Sequence, residues 1–416
     1  MQRSGGVVIP MQQSLNNIGP ERLKVLAGNH KLCFAGEEKR AEKPFGEEIL
    51  DWMDQVSKTL LHLPEARQYP DVITFAFFIR RASMLEQKKK YGVAETQPHQ
   101  LLMGRGMVFH IAPSNVAVNF AYSLIAGMAA GNLNIVRIPS KEYPQVDIIC
   151  RALEETKKTN PRIWSRFCLI RYDSDDKEIT DALSRLADVR IIWGGNETVT
   201  RIRESKLRPR ATEISFADRS SICVIDSDAY MQLEQKDQIA KDFYNDTYLS
   251  DQNACTSPRL VVWMGGQIEE AKKEFWSRLW TQVEARYEIQ PVQCVDKWNS
   301  ACLLTVNENG VTVLKDGDMR LLRLELEELT EHTMEHKSNS GYFMEYNCKD
   351  VKDLAVIADE SLQTVSYIGD RECFLPLLES GIAGIDRLVP VGKTMDFSLI
   401  WDGYRLIERL TRTIVW

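Results

Sequence analysis

Residues 107–141 read "MVFHIAPSNVAVNFAYSLIAGMAAGNLNIVRIPSK". The run "MVFHIAP" is almost wholly apolar, as a strand buried on both faces of a parallel sheet must be. "VAVNFAYSLIAGMAAG" has the composition of a buried helix and stops at Gly131, a common helix terminator. "NIVRIP" is again strand-like. Strand–helix–strand at this spacing predicts a parallel sheet with helices on its faces. The alternation continues through "QVDIICRALEETKK" (helix), "FCLIRYD" (strand), "KEITDALSRLA" (helix) and "DVRIIWGG" (strand).

Near residues 217–221 the pattern restarts. "SSICVID" and "RLVVWMGG" read as strands, "QKDQIAKDFYNDTYL" and "EEAKKEFWSRLWTQVEARY" as helices. The charge-rich "DMRLLRLELEELTEHTMEHK" reads as a strand edge or as a helix with a solvated face, and "QTVSYIG" and "TRTIVW" as later strands. The expected division is two α/β domains, 1–218 and 219–385, followed by a tail, 386–416. Ahead of the first sheet, "VVIP" and "KLCFAG" read as short strands. "GEEILDWMDQVSKTLLHL" and "DVITFAFFIRRASMLEQKKKYG" carry apolar residues at helical spacing.

A chain of 416 residues can bury two or three cores. Its net charge of −7 excludes bulk attraction to nucleic acid or to an anionic membrane surface. No stretch approaches the roughly 20 apolar residues of a spanning helix. "MQRSGGVVIPMQQS" lacks the pattern of a secretory signal. A cytoplasmic, reduced protein is therefore expected. The nine cysteines are odd in number, scattered and free of CxxC pairs, which argues against a disulfide framework and a zinc site. His332 and His336 in "HTMEH" lack the HExxH arrangement, so no metal is expected.

Three stretches carry candidate chemistry. Ala112 and Pro113 close the first strand, and Asn115 follows where the helix is expected to begin near Val116. An amide there either caps the helix or is aimed at a developing oxyanion. Arg137, Ser140 and Lys141 cluster at the end of the next strand, either as a solvated end or as a phosphate grip. Trp193, Gly194 and Gly195 end a later strand, where glycines permit a tight turn or the close approach of a ligand. In "SDQNACTSPRL", Cys255 stands among polar residues rather than in apolar surroundings, a setting for a nucleophile that sequence alone does not settle.

In order and spacing, "IAPSNVAV…AAGNLNIVRIPS", "IIWGG", "DQNACTSPR", "LQTVSYIG" and "RLVPVGKTMDFSLIWDGYRLIERLTR" resemble the aldehyde dehydrogenase superfamily. The resemblance is closer to its acyl-CoA reductase branch, the LuxC family, known from the fatty acid reductase complex of luminous bacteria. It implies an aldehyde-dehydrogenase-like fold: a Rossmann-type NADP(H)-binding domain over 1–218 and an α/β catalytic domain over 219–385. It makes Cys255 the nucleophile, and Asn115 with the Cys255 backbone N–H the oxyanion hole. Ala112, Pro113, Arg137, Ser140, Lys141, Trp193, Gly194 and Gly195 become cofactor-binding. Ser140 falls where NAD-preferring members carry a glutamate against the ribose 2′-hydroxyl, and its neighbours Arg137 and Lys141 are cations, so NADPH is the expected cofactor. The implied reaction reduces an acyl thioester, of coenzyme A or of a carrier, to an aldehyde.

Two positions depart from the superfamily pattern. Ser215 takes the place of the general-base glutamate, with Glu213 two residues upstream, and Gln252 stands three residues before the cysteine rather than two. If Glu213 reaches the cysteine, the alternative is an aldehyde dehydrogenase that makes a carboxylic acid. A non-catalytic acyl-binding subunit is the second alternative. The resemblance also implies an acyl-activating protein partner in some members, and dimers or tetramers. The apolar end at Val415 and Trp416 docks either on its own core or on a neighbouring subunit.

Overall fold

The computed structural model describes residues 21–34, 40–92, 99–314 and 318–416. The expected strand "VVIP" lies outside them. The chain forms two compact units, Met1–Ala217 with Tyr404–Trp416, and Asp218–Gly403. The segment read as one tail is therefore divided. Residues 386–403 belong to the second unit, and the last residues return to the first.

The strands of the first unit are β1 (Lys24–Gly28), β2 (Gln100–Gly104), β3 (Met107–Ile111), β4 (Leu133–Arg137), β5 (Phe167–Arg171), β6 (Val189–Trp193) and β7 (Thr212–Phe216). Six of them form a sheet in the order β1-β5-β4-β3-β6-β7. All are parallel except the edge strand β1, which runs antiparallel to β5. The order reverses at β3, so the loops leaving β3 and β6 flank a topological switch point, where open α/β sheets bind ligands. β2 forms a separate antiparallel ribbon with the last strand, Thr411–Val415.

A chain of buried polar groups ties the middle of this sheet to the helix Asn119–Ala129. Trp193 Nε1 donates to Ser123 Oγ (3.0 Å), and Ser123 Oγ meets His110 Nδ1 (2.7 Å). His110 Nε2 meets Asn134 Oδ1 (3.0 Å), and Asn134 Nδ2 donates to Asn132 O (3.0 Å). Read as donors and acceptors, the chain makes His110 a neutral imidazole protonated at Nε2. Gly127 lets the helix come this close, because a Cβ there would lie 1.9 Å from Asn134 Oδ1.

The second unit contains β8 (Ser220–Asp226), β9 (Pro258–Met264), β10 (Val311–Leu314), β11 (Leu322–Leu326), β12 (Tyr342–Asn347), β13 (Leu362–Ile368) and β14 (Arg387–Pro390). Their order is β10-β11-β12-β9-β8-β13-β14, with only the β10/β11 pair antiparallel. Alternate residues of β8 enter opposite cores: Ile222 and Val224 in one, Cys223 and Ile225 in the other. Both faces are thus covered, as a parallel sheet requires.

Several sequence expectations are corrected. The described part of "KLCFAG" is a helical turn, Lys31–Phe34, because Asn29 Oδ1 accepts from Lys31 N (3.1 Å) and starts a turn there. The strand lies just upstream as β1. "DVITFAFFIRRASMLEQKKKYG" is two helices, Pro70–Phe78 and Arg81–Lys90, since the second is started by Asp54, which accepts from Arg81 N (3.0 Å). The charge-rich run near residue 320 contributes an interior strand, β11. Its buried Arg323 donates to Glu345 Oε1 (2.6 Å), and Glu345 Oε2 also accepts from the indoles of Trp263 and Trp276 (2.8 Å each).

Burial lowers the His110 pKa from its ordinary 6.5 to about 4. The folded protein keeps this imidazole neutral, while the unfolded chain takes up a proton as pH falls below 6.5. Stability is therefore lost between about pH 6.5 and about pH 4, by on the order of 3 kcal/mol in all. Denaturant unfolding of wild type and His110→Gln across this window checks it: the variant's stability is expected to fall less steeply on acidification.

Candidate active site

The loop 251–257 carries Cys255 and enters β9. It begins with two consecutive residues in the left-handed region, Asp251 (φ 54°) and Gln252 (φ 52°). Asp251 is held by Gln293 Nε2 (2.5 Å) and by the Tyr287 hydroxyl. Gln252 is fully buried. Its Oε1 accepts from Gly341 N (2.7 Å) and Tyr342 N (3.0 Å), and its Nε2 donates to Pro258 O and Tyr342 O (3.1 Å each). Arg259 adds a second clamp, donating to Gln252 O, Ser338 O (3.1 Å) and Asn339 Oδ1 (2.9 Å).

Between these clamps, Ser257 N donates to Ala254 O (3.1 Å), which places Cys255 and Thr256 at the corner of a turn. Ser221 Oγ on β8 holds the Cys255 carbonyl (2.7 Å). Cys255 is half-buried. Cys294 is half-buried as well, Cys302 and Cys373 are exposed, and Cys33, Cys150, Cys168, Cys223 and Cys348 are buried. Burial first, then the charge of Asp402, push the Cys255 thiol up to about 11, against smaller opposing effects of Gln363, Arg259 and Arg219. At neutral pH it is a thiol. Sequence reasoning missed Ser221, Gln363 and Asp402. The only local sign of the last was an Asp–Gly turn dipeptide in "WDGY".

The remaining sequence candidates lie in the first unit, at the carboxyl ends of β3, β4 and β6. Asn115 does not start the helix. A turn intervenes, the helix begins at Asn119 after Val118, and Asn115 is exposed in a bend. The apolar run had suggested an earlier start, but the backbone first closes a turn in which Asn119 N donates to Val116 O (3.3 Å). Ala112 is buried. Pro113 and Lys141, with Val116, Phe120, Ile138 and Tyr143, line a narrow recess with room for about one water. The Lys141 ammonium lies 4.9 Å from the centre of the Tyr143 ring, and Ser140 beside it is exposed.

Arg137 is buried against Tyr172, donating to its carbonyl (3.4 Å), and its Nε has no partner among the described residues. Trp193 turns inward, stacked on Phe216 (3.6 Å). Gly194 N donates to Phe216 O (3.1 Å), and Gly195 precedes the helix Asn196–Arg203. Glu213 stands opposite Arg190 in the β6/β7 register. Its Oε2 accepts from Arg190 (2.5 Å) and its Oε1 from Arg203 (2.8 Å).

Residues 79–413 match the family described as acyl-CoA reductase (LuxC). The chain belongs to the LuxC acyl-CoA reductase family. A long-chain acyl-protein thioester reductase of Photorhabdus laumondii subsp. laumondii is 23% identical to it over 168 residues, 40% of this chain and 34% of that protein. The LuxC-family chain thus aligns with about a third of that relative's length. Among solved structures, an NAD-dependent aldehyde dehydrogenase from Sinorhizobium meliloti matches at a TM-score of 0.64 and 14% identity, over 92% of this chain and 84% of that one. A 1-pyrroline-5-carboxylate dehydrogenase from Thermus, with bound NAD, matches at 0.61 and 13%, over 93% and 83%. At these identities the likeness establishes the fold, which is aldehyde-dehydrogenase-like. No helix among the described residues is long and apolar enough to cross a membrane.

Replacing Gln252 with Ala would strand four buried backbone groups, each costing about 1–3 kcal/mol. Gln252→Ala is expected to lose at least ~3 kcal/mol of stability in the second unit. Hydrogen exchange should show the loss first around residues 251–258 and 338–342.

Proposed function

We propose that this LuxC-family chain is an enzyme that reduces a fatty acyl thioester to the aldehyde through an acyl-enzyme on Cys255, with NADPH as reductant. The observation that carries the reading is the turn at 254–257. It is clamped from both sides and carries Cys255 at its corner.

Cys255 Sγ attacks the thioester carbonyl, a C–S bond forms, and the bond to the donor thiol breaks. The proton given up by Cys255 leaves with that thiol. Because the resting group is a thiol, its proton must be removed as the bond forms. The Cys255 N–H donates to the carbonyl oxygen as it gains charge, and Asn115 is the proposed side-chain donor; such donors are worth roughly 3 kcal/mol each. When bound, NADPH supplies the hydride that takes the acyl group to the aldehyde level.

The recess of the first unit marks the place proposed for the nucleoside end of such a cofactor. Its walls are apolar, Lys141 stands at it, and it lies at the carboxyl ends of β3 and β4. Lys141 is the residue proposed to meet a 2′-phosphate. Arg137 would contribute from below, consistent with its unpartnered Nε.

The hydrolytic alternative requires a carboxylate base. Glu213, the candidate for it, has both oxygens engaged by guanidinium groups and serves as the counter-charge of buried Arg190. The Photorhabdus relative's name specifies an acyl-protein, which favours a protein-borne acyl group over free coenzyme A. A cytoplasmic setting and a homo-oligomer belong to the same proposal.

Intact-mass measurement with acyl-CoA thioesters of graded length should show an acyl adduct that disappears on adding NADPH. Cys255→Ala should carry no adduct and lose roughly three or more orders of magnitude in turnover. Glu213→Gln should keep the thioester-dependent oxidation of NADPH, though with reduced stability. Oxidation of aldehyde to free acid without coenzyme A, lost in Glu213→Gln, would overturn the reading. Lys141→Ala is expected to raise KM for NADPH roughly tenfold or more while leaving that for NADH nearly unchanged, which steady-state kinetics with both cofactors checks.

A further inference from the structure

The helix Pro291–Asn307 of the second unit has two faces of different character. Lys297, Ala301 and Leu304 form its buried side. Lys297 is 1% exposed, and its ammonium donates to Ser340 O (2.6 Å) and to Met319 O, which fixes the rotation of the helix about its axis. The opposite side therefore faces outward. It holds Val292, Val295, Trp298, Leu303 and Val306, 51–81% exposed, with exposed Asn299 and Cys302 among them. At about 100° per residue these positions fall within an arc of roughly 140°.

A helix face that meets only water carries charge. The preceding helix, Ile268–Arg286, exposes Glu269, Glu270, Lys273, Glu284 and Arg286. On Pro291–Asn307 the one exposed charged residue is Asp296. The five large apolar side chains leave on the order of 600 Å² uncovered, against about 800 Å² that each partner buries in a standard protein interface. A contiguous apolar patch of this size marks an interaction site.

We propose that this face is an interface with a second copy of the chain, two such helices crossing antiparallel about a two-fold axis at Asn299. The make-up of the stripe points to that occupant. It has no cation, and Asp296 is its one anion, so it selects no charged partner and meets itself without repulsion. In the antiparallel arrangement Val295 lies opposite Leu303 of the partner subunit, and Val292 opposite Val306 of the partner subunit. The two Asp296 carboxylates then stay about 9 Å apart along the helices, whereas a parallel pair would bring them together. Asn299 meets its own counterpart on the axis. An amide both donates and accepts, so such a pair satisfies itself and sets the register, as a single asparagine does between paired helices. The contact gives the proposed homo-oligomer a surface and does not depend on the reaction at Cys255.

Sedimentation of the full-length protein tests it. Val295→Lys and Leu303→Glu, each alone, place a charge in the contact twice and are expected to halve the mass of the assembly without changing the circular dichroism spectrum. An equimolar mixture of the two variants is expected to restore it, because one end of the contact then pairs the new ammonium with the new carboxylate and the other keeps its apolar pair. In wild type, Cys302 should react more slowly with iodoacetamide as protein concentration rises through the dissociation range, and exposed Cys373 should not. A wild-type monomer overturns both this contact and the proposed homo-oligomer. An assembly whose mass neither variant changes overturns this contact alone. Halving without restoration in the mixture overturns the antiparallel register about Asn299. Protection of Cys302 at every concentration in a monomer would give the face to another segment of this chain, and it overturns the proposal as well.

Discussion

With two donors and two acceptors all committed to backbone groups, Gln252 ties the loop that carries Cys255 to the start of β12. The loop has little apolar surface with which to hold itself down. Two residues at positive φ would leave it strained if nothing compensated. A buried amide satisfies this need, because each of its bonds would otherwise be an unpaired backbone group in the interior. The Arg259 clamp and the Ser221 bond to the Cys255 carbonyl act on a loop whose path Gln252 has already set.

The first unit solves a related problem with different residues. Its central strands and the helix Asn119–Ala129 are joined by the run from Trp193 through Ser123 and His110 to Asn134. Hydrophobic packing alone would tolerate sliding along these surfaces. A directional chain with each donor matched to an acceptor does not, so the ends of β3, β4 and β6 are held in register where the recess lies. The same logic accounts for Glu213. Arg190 is 2% exposed, and a buried guanidinium without a counter-charge would be costly.

Much of this architecture was legible in the sequence because parallel strands buried on both faces leave near-continuous apolar runs, as in "MVFHI" and "SSICVID". The interior strand at 322–326 was harder to read, since its charges, Arg323 above all, are neutralised by partners far along the chain. The helix start at Asn119 rather than Val116 depends on a local turn that apolar spacing does not encode. Cys255 stood out by its polar neighbours. Gln363 and Asp402 did not, because their meaning lies in a contact across 39 positions, and "LQTVSYIG" and "WDGY" each look ordinary alone.

The return of the last residues to the first unit has a consequence for biosynthesis. Asn132, whose carbonyl receives Asn134, also donates to Leu410 O across 278 positions (3.0 Å), and Thr411–Val415 completes the ribbon begun by β2. The first unit to leave the ribosome is therefore the last to be finished. The second, a contiguous stretch of chain, has every strand of its sheet in hand before the first receives its closing strand. Vectorial synthesis thus imposes an order in which β2 and the Asn132 side chain wait for their partners until the whole of the second unit has been made.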